Sequence, residues 1–157
     1  MTDAYLQIRK IQFRGPNNKL AEVALSSGVS VICGASDTGK SFLSESIDYM
    51  LGGGDLRPIP ELVGYAEIDL ELSSSEGGYW RVTRSISGGD FTLVDLNDGA
   101  SSFVLKQKHS HGKTDNLSGF LLDQIGLLNK RILKSSLKGT TVSLSFRHLT
   151  RLVIVQE

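Results

Sequence analysis

An apolar run, Val29-Ser30-Val31-Ile32-Cys33, breaks at Gly34, and six loop residues, Gly34-Ala35-Ser36-Asp37-Thr38-Gly39, lead directly into Lys40 and Ser41. From Lys40 onward, Leu43, Ile47, Met50 and Leu51 fall on one face of a helix, and the triple glycine at 52–54 stops it. A nearly continuous apolar run is expected of a strand covered on both faces. A chain that passes from such a strand through a glycine loop into a helix is bound to an α/β arrangement.

The flanking segments are strand-like. "YLQIRKIQF" at 5–13 carries Leu6, Ile8, Ile11 and Phe13 as its buried set, "GPNN" at 15–18 has turn chemistry, and "KLAEVAL" at 19–25 follows. In "YAEIDLEL" at 65–72, Ala66, Ile68, Leu70 and Leu72 alternate with Glu67, Asp69 and Glu71, a period of two that predicts one buried face and the acids pointing outward. "GGYWRVTRSI" and "FTLVDL", joined by "SGGD" at 87–90, extend this into an antiparallel meander. Leu117, Phe120, Leu121, Ile125 and Leu128 mark a helix with Asn116 as its cap and Gly126 near its end, and Phe146, Leu149, Leu152 and Val153 mark a last one. The polar stretch "KQKHSHGKTD" at 106–115 reads as a mobile loop.

With 157 residues, the chain has room for one domain and no second. Seventeen basic and seventeen acidic side chains cancel, so no global field announces a nucleic-acid or membrane partner. The one cysteine, Cys33, excludes an internal disulfide and reads as an inert core thiol at a strand end. The N-terminus lacks a signal-peptide core, and no apolar run approaches the roughly 18 residues needed to cross a bilayer. A cytoplasmic protein with no membrane partner is the expectation. His109 and His111, with one distant cysteine, do not make a zinc site, and no serine-histidine-acid constellation is apparent.

"GASDTGKS" matches G-x-x-x-x-G-K-[ST] in its required setting, strand before and helix after. Backbone N–H groups of such a loop converge on a polyphosphate, and the helix start adds a positive dipole end. Gly34 and Gly39 let the backbone approach closely; Lys40 can reach the β- and γ-phosphates, and Ser41 can give its hydroxyl to Mg²⁺. Residues 34–42, ending at Phe42, are therefore the candidate site for ATP with Mg²⁺.

Taken with "IQFRG" at 11–15, the strand-rich middle and "LVIVQE" at 152–157, the chain resembles the N-terminal lobe of the head of SMC-like ABC ATPases, a group that includes RecF- and RecN-like proteins. The resemblance implies a P-loop NTPase-like mixed sheet behind the loop, a flanking antiparallel sheet and C-terminal helices, over residues 1–157. It implies that Arg14 sits near the phosphates, and that Gln156 reaches Mg²⁺ and the attacking water. Such heads read Asn-Gly where this chain has Ser36-Asp37, and Asp37 would add a carboxylate near the triphosphate. By the same resemblance, the partners are a C-terminal lobe of the same ATPase, a second head that engages on ATP, and DNA; the setting is genome maintenance or anti-phage defence. A Walker B segment, a signature loop and a switch histidine are not found after Gln156, so the chain is expected to bind ATP without turning it over, hydrolysis belonging to the complete head.

Two alternatives stay open. A self-contained P-loop NTPase would use Asp95 in "FTLVDL" as its Walker B acid, or Glu157 beside Gln156. A non-catalytic, nucleotide-controlled interaction module would present a basic rim of Arg81, Arg84, the 106–113 loop, Arg147 and Arg151, whose affinity for DNA would depend on salt.

Overall fold

A computed structural model describes residues 4–36, 39–99 and 101–154. The alternation at 65–72 becomes Glu67–Ser74 (β3), whose Ile68, Leu70 and Leu72 are buried on one face of a six-stranded sheet. On one side β3 pairs with Leu6–Arg14 (β1), which in turn pairs with the edge strand Ala21–Ala24 (β2). On the other side lie Tyr79–Ser85 (β4), Phe91–Asp95 (β5) and Ser102–Leu105 (β6), giving the order β2-β1-β3-β4-β5-β6. Every pairing in this sheet is antiparallel.

The buried set of β1 changes parity between Ile8 and Ile11, which a regular strand cannot satisfy. A register shift between Ile8 and Lys10 resolves it: Ile8 opposes Leu72, while Ile11 and Phe13 oppose Leu70 and Ile68. The extra residue, Arg9, is a bulge that returns both halves of the strand to the same face.

That face is covered by Lys40–Met50 (α1) and Leu117–Gln124 (α2), which contribute Tyr49, Met50, Leu117 and Leu121 to the core. Asn116 caps α2 as its sequence predicts, its side chain accepting from the Gly119 N–H at 2.8 Å. A second, two-stranded sheet, Arg131–Ser135 (β7) with Thr140–Ser143 (β8), precedes the last helix, Phe146–Val153 (α3). The Phe146 N–H donates to Ser118 Oγ of α2, and Arg147 pairs with Asp48 of α1.

Three expectations are corrected. Residues 29–33 form no strand, and Val29 and Val31 are 92% and 82% exposed. The Ser26 N–H donates to Ser30 Oγ and the two hydroxyls meet at 3.0 Å, a turn that leads the chain off the β2 edge before residue 29. Cys33 is accordingly exposed rather than a core thiol. The sheet that was expected to be mixed is antiparallel among the described residues: β3 to β6 follow one another through short turns, as do β1 and β2, and β3 returns antiparallel to β1 after α1.

The third correction concerns the acids of β3. Asp69 and Glu71 do face away from the core, yet they are only 1% and 3% exposed. Their neighbours across the strands are the reason. Asp69 accepts from Arg14 through two nitrogens and from Thr83 Oγ1 at 2.6 Å. Glu71 takes Tyr79 OH at 2.6 Å, Arg81 Nη2 at 3.0 Å and Lys10 Nζ at 3.3 Å. The second face is thus roofed by the stems of long cationic side chains rather than by a helix.

Arg84 is the exception on β4: it points into the core and is 1% exposed. Its Nη1 donates to the carbonyls of Tyr49 at 3.0 Å and Gly53 at 2.7 Å, and its guanidinium lies 4.0 Å from the Tyr49 ring centroid and 4.6 Å from that of Phe91. Those carbonyls belong to the C-terminal end of α1, where Gly52, at φ 105°, closes a Schellman turn with Gly53 N–H on Asp48 O and Gly52 N–H on Tyr49 O. Burial lowers the Arg84 pKa, but the negative end of α1 and two aromatic faces stabilise the cation where no carboxylate touches it.

Arg84→Leu is expected to cost about 3 kcal/mol, since it orphans two buried carbonyls as well as losing the ring contacts. Urea unfolding measures this, and a loss below about 1 kcal/mol would show that α1 is held otherwise. At Glu71, burial alone would raise the pKa, but the bonds from Tyr79, Arg81 and Lys10 outweigh it and hold the carboxyl low. The stability this supplies is present above the ordinary glutamate value near about 4.3 and is lost as pH falls through the lower folded value. Glu71→Gln should therefore lower stability at neutral pH by about 2 kcal/mol and flatten the acid limb of a pH–stability curve, whereas an unchanged acid limb would place that titration elsewhere.

Candidate functional site

The glycine loop meets α1 at Gly39, whose φ of 82° and ψ of 7° lie in the left-handed region. A side chain there would be strained, so the pattern's second glycine is a backbone requirement. Among the described residues no side chain caps the N-terminus of α1, and the first turn of the helix holds no acid. The N–H groups that a helix leaves unpaired at this end, together with its positive dipole end, are directed at the loop.

Ser36, Gly39, Lys40, Ser41 and Phe42 line one side of an open hollow of about 1070 Å³. Lys40, the first residue of α1, folds back so that Nζ donates to Gly34 O at 2.8 Å and Ala35 O at 2.5 Å. The ammonium thus rests on neutral carbonyls at the rim of the hollow, a placement from which a short swing reaches an anion lying on the helix end. Ser41 is exposed.

The opposite side is aromatic and partly charged. Phe13 of β1 lies 6.0 Å from the Phe42 ring and 6.3 Å from that of Tyr65, edge-on to the latter. Tyr65 OH donates to Lys19 O at 3.0 Å, which fixes that ring. Arg57 also lines the hollow and donates to Glu45, one turn into α1, at 3.0 Å. The hollow therefore joins a positive helix end, two cations and a flat apolar wall, with Glu45 and Glu61 on its margin.

Of the residues singled out by sequence, 34–36 and 39–42 are brought together here. Asp37, Thr38, Gln156 and Glu157 lie outside the described residues. Arg14 stands apart. It pairs with Asp69 and with Glu67 at 3.0 Å, and it lines a separate, smaller hollow with Gly15 and Asn18 rather than the one beside Lys40. Its bond to Asp69 raises its pKa, as expected of a guanidinium serving a buried acid.

Asp95 lies in β5 between β4 and β6, where its carboxylate accepts from the Asn97 N–H at 2.8 Å as turn chemistry. It does not line the hollow. The basic rim does not assemble either: Arg81 serves Glu71, Arg84 is in the core and Arg147 serves Asp48. The 106–116 loop, read as mobile, is fastened to β8 through His109 and His111, each 2.8 Å from Ser143 Oγ. Among the described residues, no group of three or more histidine, cysteine or acidic side chains could hold a metal ion.

Sequence reasoning missed the aromatic wall and Arg57. Phe13 was legible only as a core residue, and Arg57 and Tyr65 fall in a stretch, "DLRPIPELVGY", whose prolines and lack of period leave no sign of which groups turn inward.

No family model, curated protein or solved structure matches the chain. Among the described residues, no helix is long and apolar enough to cross a membrane. The chemistry of the hollow is therefore what bears on function.

Gly39→Ala is expected to cost about 1 kcal/mol in urea unfolding, from the left-handed backbone alone, as nothing lies within 4 Å of the added Cβ. A neutral substitution would mean that the loop can enter α1 by another path.

Proposed function

We propose that the hollow at the N-terminus of α1 binds ATP with Mg²⁺, as the nucleotide-binding lobe of an SMC-like ATPase. The observation that carries this reading is the convergence of Lys40, Ser41 and the first turn of α1, which no described side chain caps, on one open hollow that is also lined by Phe13, Phe42 and Tyr65. The triphosphate would lie on the helix end, with Lys40 leaving the carbonyls of Gly34 and Ala35 to meet the β- and γ-oxygens. Ser41 would ligate Mg²⁺, and Gln156 would complete its sphere and address the attacking water. The ring faces of Phe13, Phe42 and Tyr65 offer apolar area for the base.

On this reading, the loop and the start of α1 act as a P-loop, and the exposed apolar side chains of Val29 and Val31 offer a surface for a further lobe to cover. Mg²⁺ would supply charge neutralisation at the γ-phosphate, and hydrolysis would draw on groups of the further lobe and of a second head. The pathway, DNA maintenance or anti-phage defence, follows from the resemblance of the loop and its flanks. Arg14 enters only if it exchanges Asp69 for a phosphate, which would leave a buried carboxylate short of a partner at a cost of about 3 kcal/mol or more.

Calorimetric titration with ATP and Mg²⁺, run beside GTP, tests the assignment. Lys40→Ala should weaken ATP at least tenfold, about 1.4 kcal/mol, with an unchanged unfolding midpoint. Equal affinity in a folded Lys40→Ala variant would overturn it. Phosphate release by the chain alone is expected to stay at background; steady turnover would place the catalytic acid within these residues.

A further inference from the structure

The three histidines of the chain, two of them neighbours in one loop and the third 37 residues beyond, converge beside the β7–β8 hairpin. His109 Nε2 and His111 Nδ1 each lie 2.8 Å from the one hydroxyl of Ser143 on β8. That oxygen carries a single proton. With both rings neutral, one ring donates its N–H to Oγ and Oγ donates to the other. With both rings protonated, the two lone pairs of Oγ can still accept from both while its proton turns toward Leu144 O at 3.4 Å, but two positive charges then face each other across one oxygen, and their repulsion weakens the contact.

The third histidine is subject to the same constraint. His148 occupies the third position of α3 and closes a capping box, its Nδ1 accepting from the Ser145 N–H at 3.0 Å and lying 2.9 Å from Ser145 Oγ. That position is usually filled by Glu or Gln, whose oxygens accept regardless of mild acid. A histidine can accept there only while Nδ1 is bare, so a proton on that nitrogen removes the N–H's partner.

We propose that His109, His111 and His148 form an acid-sensitive clasp that, while neutral, fastens the 106–116 loop to the β7–β8 hairpin and closes the cap of α3 just after it, and that releases both when protonated. The groups facing His109 are His111 of its own loop, Ser143 of β8, Asn116 ahead of α2 and His148 of α3, and none of them is a carboxylate. Nearby acids are already engaged: Asp115 by Lys106, and Asp48 of α1 by Arg147, the neighbour of His148. Arg151 adds a further cation in the last turn of α3.

Burial lowers the His109 pKa, the contact with Asn116 opposes this, and the charges of His111 and His148 lower it further. The sign follows. A histidine depressed on folding contributes stability that is fully present above its unfolded value near about 6.5 and is lost as pH falls toward the folded value. Release would reach the rest of the molecule through α3, which is tied to α1 by Arg147 and Asp48 and to α2 by Ser118.

Hydrogen exchange of the full chain, corrected for intrinsic rates and followed from about pH 7.5 to about 5.5, tests the clasp. Opening of the 106–116 and 143–154 segments is expected to rise at least tenfold across that range, and to be flat in the His109→Gln/His111→Gln/His148→Gln variant. Gln keeps an acceptor at the cap of α3. Parallel pH dependence in the two proteins would overturn the proposal. Imidazole NMR titration of the unmodified protein decides independently of whether the variant folds. His109 should titrate below about 6.5, and titration of that ring at or above this value would sink the clasp.

Discussion

Arg84 is the point on which the placement of α1 turns. A guanidinium buried without a carboxylate is costly, by several kcal/mol even after relaxation, and here the compensation comes from backbone and rings. Two carbonyls at the end of α1, the ring of Tyr49 from the same helix and the ring of Phe91 from β5 surround it. The rings and the Tyr49 carbonyl belong to elements that must be in place before these contacts form, while Nη2 has no hydrogen-bond partner among the described residues. The arginine therefore does more than fill space: it ties the C-terminal end of α1 to β4 and β5 at one azimuth, and so fixes where the other end of the helix points.

The opposite face of the sheet solves a different problem. A sheet of this width has helices on one side only among the described residues, and its other face would ordinarily be a polar, wet surface. Instead, of two acids one pleat apart on β3, Asp69 takes Arg14 of β1 and the Thr83 hydroxyl of β4, while Glu71 takes Lys10 of β1, Arg81 of β4 and the Tyr79 hydroxyl. Cross-strand pairing brings them together without long connections, because Lys10, Glu71 and Arg81 are in register, as are Gln12, Asp69 and Thr83. This also explains why Arg14, the residue that resemblance places near a phosphate, has a structural engagement of its own.

What was legible in the sequence is what depends on local pattern. Ile68, Leu70 and Leu72 declared their face by alternation, Asn116 its cap by residue type, and the glycines after Leu51 the end of α1. What was not legible depends on partners distant in the chain. An arginine between a threonine and a serine reads as a surface charge, and nothing at Arg84 announces the helix end 31 and 35 positions away. Asp69 and Glu71 read as solvent-facing because alternation tells which face, not what covers it. The 29–33 run failed for the converse reason: it is apolar enough for a central strand, but β-structure needs a neighbour, and the turn at Ser26 and Ser30 carries it away from the nearest one. The β7–β8 hairpin and the histidine contacts went unread because serines, threonines and lysines dominate the segment and carry no period.

Taken together, these features explain why the candidate site is half built. Its fixed half is α1, held at its far end by Arg84 and on its flank by Arg147, with Phe42 packed against Phe13 beneath the first turn. Its adjustable half is the loop, where Lys40 is satisfied by carbonyls of Gly34 and Ala35, residues it would have to leave for an anion. Neutral carbonyls hold an ammonium less strongly than a carboxylate would, so an anion at the helix end could compete for it with these two bonds. On the proposed reading, a polyphosphate would supply that charge.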